Sequence, residues 1–321
     1  MKDRISALMR RLNFMNFRVP IGDLEYHIFE SPGLWCTDQE LEKLTKDMRE
    51  VAATFHQSND LPDYGPLTGN REDLAHRLIT IAYHRKQKKP IGFSAQIFLT
   101  VKYRGFAKRI LHLGLIYIDD SVKGQNVSYL LTVFPNLLVT IKNGFRDLYV
   151  SSVSQVPAIV GLVGKNYVDV YPTSNFENQR YYHFKLAQLI MHDHRQAFGV
   201  GSDAEYDERL QIIKNAYTGG SDELKKTYKN APKFREESVN KFCENNLNYQ
   251  RGDDFLQIGK ISIQGLWPLY YSKLNRKNFF PITLALMAVA LFTLFMPIIR
   301  WIWAPIDDCD TEAHQSEELI V

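Results

Sequence analysis

Residues 110–131 run Ile110-Leu-His-Leu-Gly-Leu-Ile-Tyr-Ile118 and then Asp119-Asp-Ser-Val-Lys-Gly-Gln-Asn-Val-Ser-Tyr-Leu-Leu131, and their reading decides the fold. The first nine residues are apolar and β-prone, so they predict a strand; 119–125 predict a polar loop, and a helix follows over 126–142, with Pro135 as an irregularity. A loop of this kind gathers the unpaired N–H groups of a first helical turn at one spot, where the helix dipole adds positive charge. An anion such as a pyrophosphate is the natural occupant. Gly124 lets the backbone approach it or take a positive φ, and Lys123 and Ser128 add side-chain contacts. A single glycine in such a turn is also ordinary turn chemistry.

Working upstream, 79–84 and 91–103 are further strand-like runs, and with 110–118 they predict an antiparallel meander. Before them come a strand at 24–29, a helix opened by the capping box Thr37-Asp-Gln-Glu40, and a short helix capped by Asn70. Downstream, 148–153 predicts a strand, Pro157 starts a short helix, and 167–171 returns as a strand. Helices are predicted within 181–198 and 203–247, and 255–271 is expected to rest on the domain or at a membrane interface.

The order strand, helix, helix, three strands, loop, helix, strand, helix, strand over residues 24–172 resembles the GCN5-related N-acetyltransferase (GNAT) superfamily. The resemblance implies an α+β fold, a mostly antiparallel mixed sheet flanked by helices. It implies acetyl-CoA or a longer acyl-CoA as co-substrate, without a metal. Ile118, Val122, Lys123, Gly124, Gln125, Asn126, Val127 and Ser128 look like the family's acyl-CoA loop, although Asn126 and Ser128 stand where the family often has glycines. Residues 151–172 are similar to the family's splayed fifth strand, short helix and sixth strand. Backbone N–H groups around Tyr117 and Ile118 are then expected to polarise the thioester carbonyl. The family's proton-donating tyrosine is absent from 157–164, which moves that role to Tyr167 or a water. Base candidates are His112 and Tyr117, with Asp119 and Asp120 at the strand end. Five positions apart, His112 and Tyr117 face opposite sides of an ideal strand, so at most one faces the cleft without a bulge, and each also has an ordinary structural reading.

The 321-residue chain has a formal charge of +3, but six carboxylates and no Lys or Arg follow Trp303, so the rest carries +9. Lys and Arg are not interleaved with stacking aromatics, so no nucleic-acid partner is expected. Three scattered cysteines fit a reducing compartment and no metal spacing. His192-Asp193-His194 would clip a metal only on a strand, and the pattern around it is helical.

Residues 279–299 are uncharged and apolar, long enough as a helix for the ~30 Å hydrocarbon core of a bilayer. Lys273, Arg276 and Lys277 precede them; Arg300, Trp301 and Trp303 follow. The pattern predicts a transmembrane anchor from Phe279 to Trp303 that makes the lipid bilayer a partner. By the positive-inside rule, it places the N-terminal domain on the cytoplasmic side of a single-pass protein.

The expected organisation is an amphipathic segment (1–23), a GNAT-like domain (24–175), a helical and membrane-proximal extension (176–278), a transmembrane helix (279–303) and an acidic tail (304–321). The expected function is membrane-anchored, acyl-CoA-dependent N-acylation by direct transfer to an amine of a lipid or a membrane-associated protein. The competing expectation is a catalytically inactive, tail-anchored binding or scaffold protein on the same fold.

Overall fold

A computed structural model describes residues 13–54, 65–122, 127–144, 148–174, 179–262 and 276–303. A ten-stranded sheet runs through the molecule. Its strands are β1 (Asn16–Ile21), β2 (Leu24–Glu30), β3 (Arg77–His84), β4 (Pro90–Tyr103), β5 (Phe106–Ile118), β6 (Leu148–Ser154), β7 (Val168–Tyr171), β8 (Glu205–Asp207), β9 (Ile212–Lys214) and β10 (Asp254–Ile261). The order is β1-β2-β3-β4-β5-β6-β10-β9-β8, with β7 also pairing β10. Every pairing is antiparallel except β5 with β6, which is parallel.

The helices are α1 (Asp38–Ala53), α2 (Arg71–Ala75), α3 (Val127–Lys142), α4 (Pro157–Asn166), α5 (Tyr181–Asp193), α6 (Glu237–Asn246) and α7 (Arg276–Trp303). The capping box closes as its spacing requires: Glu40 N–H donates to Thr37 Oγ1 at 3.3 Å, and Thr37 N–H donates to Glu40 Oε2 at 2.8 Å. Strand alternation then sends side chains to the two faces of the sheet. Ile79, Ile81, Phe93 and Ala95 meet α1, while Ile97, Leu99 and Val101 on the same face meet α5. Leu78, Ala82 and Phe98 point the other way, into a core shared by α3 and α7. Lys142 fixes the end of α3, with Nζ 2.5 Å from the buried Glu30 carboxylate.

Two expectations change. Residues 16–21, expected within an amphipathic segment, form an edge strand, and 1–12 lie outside the described residues. The stretch 176–278, expected to be helical, supplies β8, β9 and β10 to the same sheet, and β10 lies beside β6 deep within it. Local pattern could not place β10. Its position is fixed by pairing with β6, more than a hundred residues earlier in the chain.

The transmembrane anchor is corrected, and with it the bilayer partner, the single-pass membrane placement and the membrane-associated substrate. Among the described residues no helix is long and apolar enough to cross a membrane. Nor does α7 stand apart from the domain. Ile282, Ala285, Leu286 and Val289, spaced i, i+3, i+4, i+7, are buried in the core formed with β1 and α3. Apolar residues on every side concealed this stripe from a hydropathy reading, because the opposite face, with Phe280, Leu284 and Leu294, is apolar and exposed.

Candidate functional site

A strand with neighbours on both sides is normally sealed. β4 obeys this and is buried from Pro90 through Leu99. Its neighbour β5 does not: Ile110, Leu111 and His112 are buried, Gly114 is exposed, and Leu113 and 115–118 are half-buried. The cause is the partner on the far side. β6 pairs with β5 only from Ile110 opposite Tyr149 to Leu113 opposite Ser152. Beyond that point 115–118 pair with β4 alone, and β6 turns into α4. The parallel pair therefore opens into a gap at Leu113 and Ser152.

A β-bulge sits where the strands part. Ala95 is opposite Leu115 and Ile97 is opposite His112, so two steps along β4 match three along β5. The sequence offered a signal in Gly114, a glycine inside a strand pattern. A Cβ there would lie 2.2 Å from the Ala95 carbonyl oxygen, so the close approach requires glycine. The extra residue also shifts the alternation. His112 stacks on Phe198 on the α5 face, and Tyr117 packs on the same face against Phe93, with ring centroids 5.5 Å apart. The two therefore share a face, the exception to ideal alternation that a bulge creates.

The two residues nevertheless sit in different surroundings. His112 is 3 % exposed, and its Nδ1 lies 3.0 Å from Ser151 Oγ. Burial, then the charges of Arg77 and His194, lowers its pKa to about 3, so it is held neutral. Tyr117 lies in the open half of the strand. Burial, then the negative charge of Glu223, pushes its pKa up to about 12. Asp119 closes the strand: its N–H donates to the Ile91 carbonyl at 2.8 Å and its Oδ1 accepts from Ser121 N–H at 2.9 Å. Its carboxyl is shifted below the usual range, chiefly by hydrogen bonding from Ser121.

Two helices line the face opposite Tyr117. α3 is anchored to β4, with Ser94 Oγ donating to the Leu131 carbonyl and Gln96 Nε2 to the Thr132 carbonyl at 3.5 Å. α4 begins at Pro157, suited to a first helical turn, and ends at Asn166, with Tyr167 as its cap. Tyr167 is buried in the core against which Leu113, Ile116 and Ile118 pack. Its hydroxyl oxygen accepts from Asn136 Nδ2 of α3 at 2.7 Å, and burial raises its pKa.

Of the loop residues expected to hold an acyl-CoA, Ile118 ends β5, Val122 is buried, and Val127 and Ser128 begin α3. Lys123, Gly124, Gln125 and Asn126 lie outside the described residues. His192 and His194 are turned to separate partners, Asp193 Oδ1 at 2.6 Å and the Thr100 carbonyl at 2.8 Å. Asn136 was missed from sequence. Inside an apolar helix it carries no local signal, and only the fold sets it against Tyr167.

No protein-family model and no curated protein matches the sequence. Among solved structures, the chain is similar to an acetyltransferase of Trypanosoma brucei, at 13 % identity over 38 % of this chain and 78 % of that one, TM-score 0.26. It is similar to an aminoglycoside acetyltransferase from an uncultured soil metagenomic sample, at 17 % identity over 40 % and 76 %, TM-score 0.28. It is also similar to the ribosomal-protein-S5-alanine acetyltransferase of Vibrio fischeri, at 7 % identity over 76 % and 96 %, TM-score 0.33. Likeness at this level decides neither substrate nor chemistry.

Proposed function

We propose that this chain is an acyl-CoA-dependent N-acyltransferase that moves an acyl group directly onto a primary amine, with the thioester lying in the gap between β5 and β6. The observation that carries the reading is the interruption of the parallel pair at a bulge. A ten-stranded sheet that is sealed at β4 is left half-open at the adjoining residues 113–118.

The residues present fit such a substrate. Along any strand, alternate N–H groups point to opposite neighbours, so some of those in 114–118 point to the side that β6 has left. They are suited to receive a thioester carbonyl oxygen as it gains negative charge. Leu113, Ile116 and Ile118 give the gap an apolar wall, and the start of α3 at Val127 sets a helix N-terminus beside the strand end. The Asn136 Oδ1 atom is buried without a partner in the protein, an acceptor that an N–H of the pantetheine arm would satisfy.

In the transfer, the amine nitrogen forms a bond to the thioester carbon as the carbon–sulfur bond breaks. Tyr167 gives its hydroxyl proton to the departing sulfur, and the proton lost by the attacking nitrogen restores it through water. The products are an amide and a free thiol. His112, buried and neutral, is assigned to holding the paired half of the strands together, while Tyr117, beside Glu223, faces the acceptor side.

The test is thermal unfolding of the full chain with acetyl-CoA, palmitoyl-CoA or free CoA, together with thiol release over a panel of primary amines. A ligand at a hundredfold excess over Kd stabilises by about 2.7 kcal/mol, a rise of several degrees in Tm. No rise with any of the three overturns the reading. A rise without turnover on any amine leaves a CoA-binding protein rather than an enzyme.

A further inference from the structure

We propose that Asn136 is the positioning residue of Tyr167, holding the phenol so that it gives its proton to the leaving thiolate. The inference rests on the acyl-transfer reading and adds to it Asn136 of α3, whose side-chain nitrogen donates to the Tyr167 hydroxyl oxygen.

The direction of one hydrogen bond carries the argument. Asn136 Nδ2 donates to the Tyr167 oxygen at 2.7 Å, so the phenol receives at this contact and its own O–H stays available to a third group. A carboxylate or a backbone carbonyl at the same place would take that proton and tie it up. Both side chains are buried, Asn136 at 0 % and Tyr167 at 7 % exposure, so little solvent competes. Burial disfavours the phenolate, and donation from Asn136 works against it, which eases release of the proton.

Position agrees with direction. Tyr167 caps the end of α4, and its side chain belongs to the core on which Leu113, Ile116 and Ile118 of the open half-strand pack. Asn136 follows Pro135 within α3, and its hydroxyl-bearing neighbour Thr140 returns its own bond to the Asn136 carbonyl at 2.9 Å. The carboxamide is thus committed at its nitrogen end to Tyr167, while its oxygen has no partner in the protein. A helix-to-helix staple alone would gain from pairing both ends, since a buried amide oxygen left unpaired is destabilising.

The experiment uses full-length protein with acetyl-CoA and whichever primary amine turns over fastest. Asn136→Leu is expected to lower kcat by about 10- to 100-fold, as general-acid catalysis is lost, with KM for acetyl-CoA within about twofold if positioning alone is removed. The alkaline limb of the kcat profile should move to higher pH, because the phenol has lost a donor. In a Tyr167→Phe background the same substitution should cost nothing more, since the two act as one unit. Asn136→Ser, smaller and still polar, serves if the leucine variant does not fold, and it should recover part of kcat. Unchanged kcat in a folded Asn136 variant, or an equal loss with and without Tyr167, overturns the assignment while leaving acyl transfer standing. Absence of CoA binding or of turnover in the wild-type chain overturns the acyl-transfer reading first, and this assignment with it.

Discussion

β4 and β5 are the longest strands of the sheet, 14 and 13 residues, joined by one tight turn and paired along nearly their whole length. They part company in burial. β4 is closed on both faces and both edges through Leu99, whereas β5 is sealed only at Ile110, Leu111 and His112, where β6 pairs with it, and is exposed or half-buried on either side. The composition of the two runs is similar, so hydrophobicity does not cause the difference. It arises because the next strand stops pairing: β6 serves four residues of β5 and then leaves. A half-open strand inside a large sheet is not accounted for by packing alone, and the proposed site rests on that contrast.

The sharpest way to break the contrast is Gly114→Val. With Ala95 O 2.2 Å from the place of a Cβ, the bulge must move, at an expected cost of about 3 kcal/mol or more with loss of CoA binding. Chemical denaturation and a CoA titration measure the two effects. Leu99→Ala, in the sealed strand at 2 % exposure, should cost a comparable 2–5 kcal/mol or so by cavity formation, yet leave CoA affinity of the folded protein unchanged.

His112 tests the paired half through pH. Its pKa of about 3 in the folded chain is below the ordinary value near 6.5, so between these values the unfolded chain binds a proton that the native one refuses. This stability is complete above about pH 6.5 and is lost progressively toward pH 3. At pH 5 the loss should be about 1–2 kcal/mol, and His112→Gln should flatten that slope in denaturant midpoints measured at pH 7 and 5. The smallest effect belongs to the open half. Ile116→Ala should cost only about 1 kcal/mol in stability, because the side chain is already half-exposed, while weakening CoA binding severalfold.

Much of the fold could be read from the sequence wherever the signals are local. The capping box at Thr37, the meander of β3, β4 and β5, and the helix that includes Val127–Lys142 all follow from spacing and turn residues. What could not be read depends on pairing at a distance. β10 lies beside β6 because of contacts made across residues 155–253, and α7 rests on the core through a four-residue stripe that its uniform apolarity hid. In the site, Gly114 was visible as a glycine in a strand but its bulge, which puts His112 and Tyr117 on one face, required the register. Tyr167 could be named as a substitute donor only through a family resemblance, and Asn136 not at all, since nothing in PNLLVT announces a partner on another helix.

Hydrogen–deuterium exchange of the full chain, with and without acetyl-CoA, tests the central claim most directly. The opening of β5 from β6 predicts that amides of 114–118 exchange faster than those of 110–113 in the free protein. It also predicts that acetyl-CoA protects 113–118 together with 152–154 and the turn through Tyr167. Equal protection of both halves of β5 in the free protein, or ligand protection confined to another surface such as the outer face of α1, would contradict it.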